Sequence, residues 1–349
     1  MKSPISHALA VAAFALAACR GSTAPADAAP PLDLALGDAA TPPDFVTLFD
    51  LSPVTGPMLL SQTGLYGDFP SRALAPGVFA FVPRYPLWSD GADKERYLLL
   101  PPGTKIDSSD MDGWFFPVGT RAWKQFSVGG TVVETRLLEK VYNDPSGWWE
   151  VAYLWKPDGS DAVATPAGQD NALGTAHLVP SQKDCNLCHV GVADVLIGVS
   201  ALQLSAADGK GPLSRLAALN LLSNPPSAEF QAPGTGVVQD ALGYLHGNCG
   251  HCHNRFSDVW RDQTRMTLRL SVNDRVPEQT GAYSFIGKKT IHTSPAGSQV
   301  AIVPGQPEKS QLYERMGYRD LWAMPPVCTK IVDTAGRKTL HDWILGLPH

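Results

Sequence analysis

The chain has 349 residues, enough for two domains with cores of their own, and its 28 basic and 33 acidic residues leave a net charge of −5. That balance excludes a polycationic surface for gripping nucleic acid or anionic lipid. Thirty prolines and 32 glycines, with little low-complexity sequence after residue 40, indicate a folded protein rich in turns and irregular connections.

In chain order, Lys2 precedes an apolar run from Ala8 to Ala18, the charged-then-apolar layout of a secretory signal and too short to span a bilayer. Residues 1–18 are therefore expected to be a signal peptide. Leu16-Ala17-Ala18-Cys19 resembles a bacterial lipobox, which would make Cys19 the lipidated first residue of the mature chain; a plain signal peptide cut nearby is the simpler alternative. Residues 19–43, rich in Ala, Pro and Asp, read as a flexible tether. Arg20 rather than Asp after the cysteine implies, by the sorting rule of such lipoproteins, the outer membrane with the body facing the periplasm. The lipid would be the only membrane attachment.

Residues 44–235 read as a β-rich domain. The segments Arg96–Leu100, Ala122–Val128, Val132–Leu138 and Trp148–Trp155 are aromatic and β-branched and are separated by Gly, Pro and Asp turns, which predicts an antiparallel sandwich or barrel. This domain runs into Cys185-Asn186-Leu187-Cys188-His189. A second such segment, Cys249-Gly250-His251-Cys252-His253, follows after 60 intervening residues. Chance would place one Cys-x-x-Cys-His in a chain of this composition only about 0.003 times, so two are a strong signal. Two thiols separated by two residues can reach the two vinyl groups of one haem while the adjoining histidine sits beneath the iron, so Cys185, Cys188, Cys249 and Cys252 are the expected attachment points of two haems c. His189 and His253 are the expected proximal ligands. A four-cysteine zinc site is the competing use of two Cys-x-x-Cys pairs, but the gap is far longer than in a zinc ribbon and zinc requires no following histidine. A thioredoxin-like redox pair lacks its strand–helix context. Cys328 is left without a partner and reads as a small buried side chain.

Residues 236–349 predict a mostly helical domain. Val238, Leu242 and Leu245 recur at helical intervals before Cys249, and Asp333 can cap a helix carrying Leu340, Trp343 and Ile344 on one face. Between them Met324-Pro325-Pro326 lies 71 residues beyond His253, a separation similar to that in class I cytochromes c, which makes Met324 the expected sixth ligand of the second haem. Met316 is the rival, but with Leu312 and Tyr313 it forms a packing stripe after Ser310. Met266, Leu268 and Leu270 alternate with Thr267 and Arg269 and predict a strand. For the first haem, spacing selects no sixth ligand among His177, His246, His292 and Met111, and an open position would allow small molecules to bind.

The segments LSQTGLYGDF, PLWSDGADKERYLLLPPGTKI, FPVGT, CNLCH, YLHGNCGHCH, PGQPEKSQLYERM and MPP resemble a family of bacterial dihaem c-type cytochromes, commonly lipoproteins, over nearly all of the mature chain. Val327-Cys328 departs from the Leu-Gly more usual there. The resemblance implies periplasmic electron transfer between a donor dehydrogenase, in some cases a quinoprotein sugar dehydrogenase, and an acceptor cytochrome. A fainter similarity, in WFFPVGTRAWKQF before a haem motif, is to the lysine-cross-linked cytochromes that oxidise hydroxylamine and would involve Lys124; a lysine on the solvated face of a strand is the simpler reading. The expected activity is thus electron carriage, with a haem peroxidase, an oxidase of a small nitrogen compound, or a gas or redox sensor as alternatives.

Overall fold

The computed structural model describes residues 56–189, 191–257 and 265–349; the signal segment, Cys19 and the tether lie outside them. The protein is mixed α+β. A short ribbon, β1 (Tyr66–Asp68) with β2 (Ala73–Leu74), precedes a six-stranded antiparallel meander: β3 (Phe79–Phe81), β4 (Asp93–Leu99), β5 (Arg121–Val128), β6 (Thr131–Lys140), β7 (Trp148–Trp155) and β8 (Ala162–Ala164), each hydrogen-bonded to the next. The four segments expected as strands are β4 to β7, with ends shifted by a few residues at most.

Period-two alternation explains why these strands hold. Tyr97, Trp123, Leu137, Val151, Tyr153 and Trp155 point to one face, where Leu60, Leu65 and Tyr66 from the preceding chain cover them. Leu98, Ala122 and Leu138 point to the other face and join the main apolar cluster beneath the helices. Both faces are therefore covered by chain other than a second sheet, and among the described residues the expected sandwich or barrel is an open meander with β3 and β8 at its edges. The β8 edge is met by the 58–59 segment through the Leu59–Val163 bridge and a bond from the Ala164 amide to the Met58 carbonyl.

After β8 come α1 (Gln182–His189), α2 (Ala201–Leu204), α3 (Pro212–Ala218), α4 (Val237–Asn248), α5 (Gly281–Ser284), α6 (Gln311–Arg315) and α7 (Thr334–Leu345). Asp333 caps α7 as expected, its carboxylate accepting from the Gly336 amide at 2.8 Å, and Leu340, Trp343 and Ile344 are buried. Leu242 and Leu245 of α4 are fully buried against them. Between α4 and α7, however, helix among the described residues is confined to α5, α6 and two single turns, so the mostly helical character expected of 236–349 is seen there chiefly at its two ends. The predicted strand at 266–270 is also not formed. Leu268 and Leu270 are buried in alternation, but their amides go to the His253 carbonyl and His246 Nδ1, and no neighbouring strand is present to make a ladder.

The apolar cluster crosses residue 235 without a break, joining Phe79 and Leu98 of the sheet to Leu242 and Trp343 of the terminal helices. Tyr85 locks the two regions together. Its ring and backbone occupy the notch left by Gly243 and Gly247 on one face of α4, where an added Cβ would stand 2.1 and 2.4 Å from Tyr85 atoms. Its hydroxyl accepts from the Ala232 amide, and the Trp88 amide donates to Asn248.

One polar group is built into this interior. Lys140 at the end of β6 donates to both oxygens of Asp194 at 2.7 and 2.6 Å, with side-chain exposures of 2% and 0%. The same carboxylate accepts from the Phe116 amide and Trp148 Nε1, so four donors compensate its desolvation. Asp194→Ala leaves a buried ammonium unpaired and is expected to destabilise the protein by about 3–5 kcal/mol in denaturant unfolding. Adding Lys140→Met to that change is expected to recover a large part of the loss; no recovery would mean that the carboxylate acts through the Phe116 and Trp148 bonds instead.

Candidate functional site

The first Cys-x-x-Cys-His segment folds as α1, so Cys185 and Cys188, three residues apart, share a helical face. Both line one cavity with His189, bounded on the far side by β4 to β7. His189 Nδ1 lies 2.7 Å from the Val195 carbonyl. A carbonyl can only accept, so Nδ1 carries the proton and the Nε2 lone pair is left for a metal, the arrangement by which metal-binding histidines are usually oriented. Val195 follows Asp194 directly, so the buried ion pair fixes the carbonyl that fixes the imidazole. Burial pushes the Cys185 thiol up to about 12, with Glu150 adding to the effect. For this segment, thiols and imidazole all fit a covalently held haem.

The second segment divides its residues. His253 is buried and lines a second cavity of about 670 Å³. Met324, the expected sixth ligand, lines the same cavity, held where its amide donates to the Arg315 carbonyl. Ala301, Phe285, Ile291 and Leu312 supply apolar wall. Burial lowers His253 to about 4, which keeps its imidazole neutral. Met316 sits in the apolar core, in keeping with a packing stripe. Two further groups of the second cavity, Met266 and His292, were not expected there. Neither Cys249 nor Cys252 borders this cavity: Cys249 follows α4 and packs on the core, and Cys252 turns toward the first segment.

There the two segments touch. One ligand atom each from Cys188, His251 and Cys252 lie within 4.8 Å of one another, a set that can hold a soft divalent metal. The Cys188 and Cys252 thiols interact directly, which pulls Cys188 well below the usual thiol range and pushes Cys252 up. The four-cysteine site is not assembled among the described residues, since this group takes one cysteine from each pair and a histidine instead. Asn254 ties the contact: its amide nitrogen, buried with the residue 2% exposed, donates to the carbonyls of Gly191, Gly250 and His251 at 2.7, 2.8 and 3.0 Å. Gly191 is required by the close approach, because a Cβ there would stand 2.3 Å from the His251 carbonyl oxygen.

Of the four side chains expected to compete for the first iron, only His177 borders the first cavity, and its Nε2 is held by Glu134 at 2.7 Å. His246 is buried between Tyr85 and Leu270, its Nδ1 accepts from the Leu270 amide, and burial lowers it to about 3. His292 belongs to the second cavity, and Met111 packs on the core. Sequence reasoning missed His251, which borders the first cavity with a buried Nδ1 that makes no hydrogen bond. Its position inside the second segment hid it. Cys328 is not simply a core residue: it lines the first cavity, from the same loop that carries Met324.

Comparison with protein-family models, curated proteins and solved structures finds no match. No helix among the described residues is long and apolar enough to cross a membrane.

Asn254→Asp removes both amide donors and turns a carboxylate onto three carbonyl oxygens. It is expected to cost roughly 2–3 kcal/mol or more, read as a lowered denaturant midpoint. An unchanged midpoint would mean that Asn254 does not hold the two segments together.

Proposed function

We propose that the chain is an exported dihaem c-type cytochrome, anchored by lipid at Cys19 on the periplasmic side of the outer membrane, that moves single electrons between redox proteins. The donor would be a dehydrogenase, quinoprotein sugar dehydrogenases included, and the acceptor a cytochrome. One observation carries this reading: His253 and Met324, 71 residues apart, border one cavity, while Cys185, Cys188 and His189 border another. Helices α4 and α7 with the Met324 loop between them support a class I cytochrome c-like reading of residues 236–349.

Haem iron held in these cavities would supply one-electron transfer and, where a coordination position is open, ligand exchange. The chain's own contributions follow from its residues. The Val195 carbonyl orients His189, and the second cavity brings the neutral imidazole of buried His253 and the thioether of Met324 to one space. His253 and Met324 are the residues that would hold this iron, and a thioether with an imidazole as ligands would favour its reduced state. Electron-transfer partners need only a small, transient contact.

A second reading is favoured by the first cavity. No methionine borders it, and the only expected histidine there is committed to Glu134. That composition supports ligand exchange at the first iron, hence an oxidase or peroxidase activity or gas sensing, with His251 as the side chain that could close the position.

Protein matured in a periplasm is expected to carry two haems and no zinc per chain, by pyridine haemochrome and metal analysis; a haem-free, zinc-loaded product would refute the proposal in favour of the Cys188–His251–Cys252 group. Carbon monoxide that leaves the reduced spectrum unchanged supports the carrier; a change in one haem supports the second reading. Met324→Ala is expected to lower the reduction potential of one haem, whereas Met266→Ala leaves both near the parent values, in a redox titration. The reverse pattern would assign the thioether to Met266.

A further inference from the structure

Three cations stand in one line across the sheet. In the antiparallel register Arg96 of β4 is directly opposite Lys124 of β5, and Lys124 is directly opposite Arg136 of β6. All three border the first cavity. Like charges directly opposite on neighbouring strands repel, and a buried cation without a counter-ion carries its full desolvation cost. A row of this kind therefore calls for negative charge to compensate it.

The protein's own carboxylates do so for one member. Glu134 takes Arg136 through both oxygens, at 2.6 and 2.9 Å, and also holds His177. Arg96 is 7% exposed, its terminal nitrogen makes no hydrogen bond, and burial alone lowers it to about 10 with no acid opposing the shift. Lys124 sets its ammonium over the Phe126 ring at 5.1 Å, and burial together with Arg96, Arg136 and Lys94 pulls it well below the usual lysine range against the opposing charge of Glu134. Of the other acids on this cavity, Asp184 accepts from Ser181 and Asp90 from the Lys330 and Ile331 amides, while Glu150, beside Cys185, keeps one buried oxygen without a hydrogen bond and, among the described residues, pairs with none of the three cations.

We propose that the Arg96–Lys124–Arg136 row is an anion-binding site that takes a carboxylate or a small oxyanion in the first cavity. Arg96 offers a planar fork of donors, and Lys124 a point charge beside it. The chemistry admits two sources, the propionates of a haem held by Cys185 and Cys188 or a dissolved anion entering the same space. Strand register builds the row, so the site stands without the dihaem reading; only the propionate source rests on it.

The test uses the full matured chain, its haem content counted first, and compares the parent with Arg96→Gln, Lys124→Met and, as a control on the opposite face of the sheet, Arg121→Gln. Potentials are titrated, and thermal midpoints are followed against sodium formate at constant chloride. If propionates occupy the row, both variants lower the potential of one haem, the control does not, and formate has no effect on the parent. If a dissolved anion occupies it, formate raises the parent midpoint with the logarithm of its concentration, and roughly tenfold more is needed for the same rise in both variants, as loss of a charged hydrogen bond requires. Variants that match the parent in potential and in formate response overturn the proposal. Should the chain carry no haem, the dihaem reading fails, and the formate series alone decides whether the row binds anions.

Discussion

The Lys140–Asp194 pair is the interaction on which the rest of the molecule depends. Two opposite charges have been taken out of water at the end of β6, and the arrangement is tolerable only because the carboxylate also receives a backbone amide and an indole. That requirement fixes the position of Asp194 against the sheet. The residue after it supplies the carbonyl that turns His189, and the chain leading to it begins at α1 with the two thiols. Polar satisfaction in the core is thus the source of order at the first cavity.

The sheet shows how one set of strands serves two environments. Alternation gives each strand a face of large aromatic residues, covered by the chain before β3, and a second face on which apolar residues give way to ionisable ones toward the cavity. Ala122, Lys124 and Phe126 occupy successive positions of that second face on β5, so apolar core and cavity wall are parts of one surface. A lysine two residues from a buried phenylalanine has the spacing of an exposed strand face; what changes its meaning is the neighbour on each side in register.

The elements that could be read from the chain were those with a local physical signature. The four long strands, the helix before Cys249, and the cap at Asp333 each follow from residues within one short window. What could not be read depends on pairing over distance. The alternation at 266–270 is real as burial, but a strand needs a partner, and its amides found a carbonyl and an imidazole instead. The cross-strand row of cations requires the registers of three strands, and the closeness of Cys188 to Cys252 requires the fold to bring together segments 60 residues apart. His251 was concealed by its place inside a motif whose other members have assigned roles. The residue types and spacings that point to chemistry were thus legible in the sequence, and which of them share a space was not.

The loop that follows α6 touches both of those spaces. Met324 borders the second cavity, while Pro325, Val327, Cys328 and Thr329 border the first. Cys328 holds a left-handed backbone, with φ of 57°, and its neighbours at 330 and 331 are pinned to Asp90, so the segment has little slack at that end. It is a party wall. Room gained on one side of such a partition is room lost on the other, so the dimensions of the two chambers are a shared quantity, set jointly by these five residues.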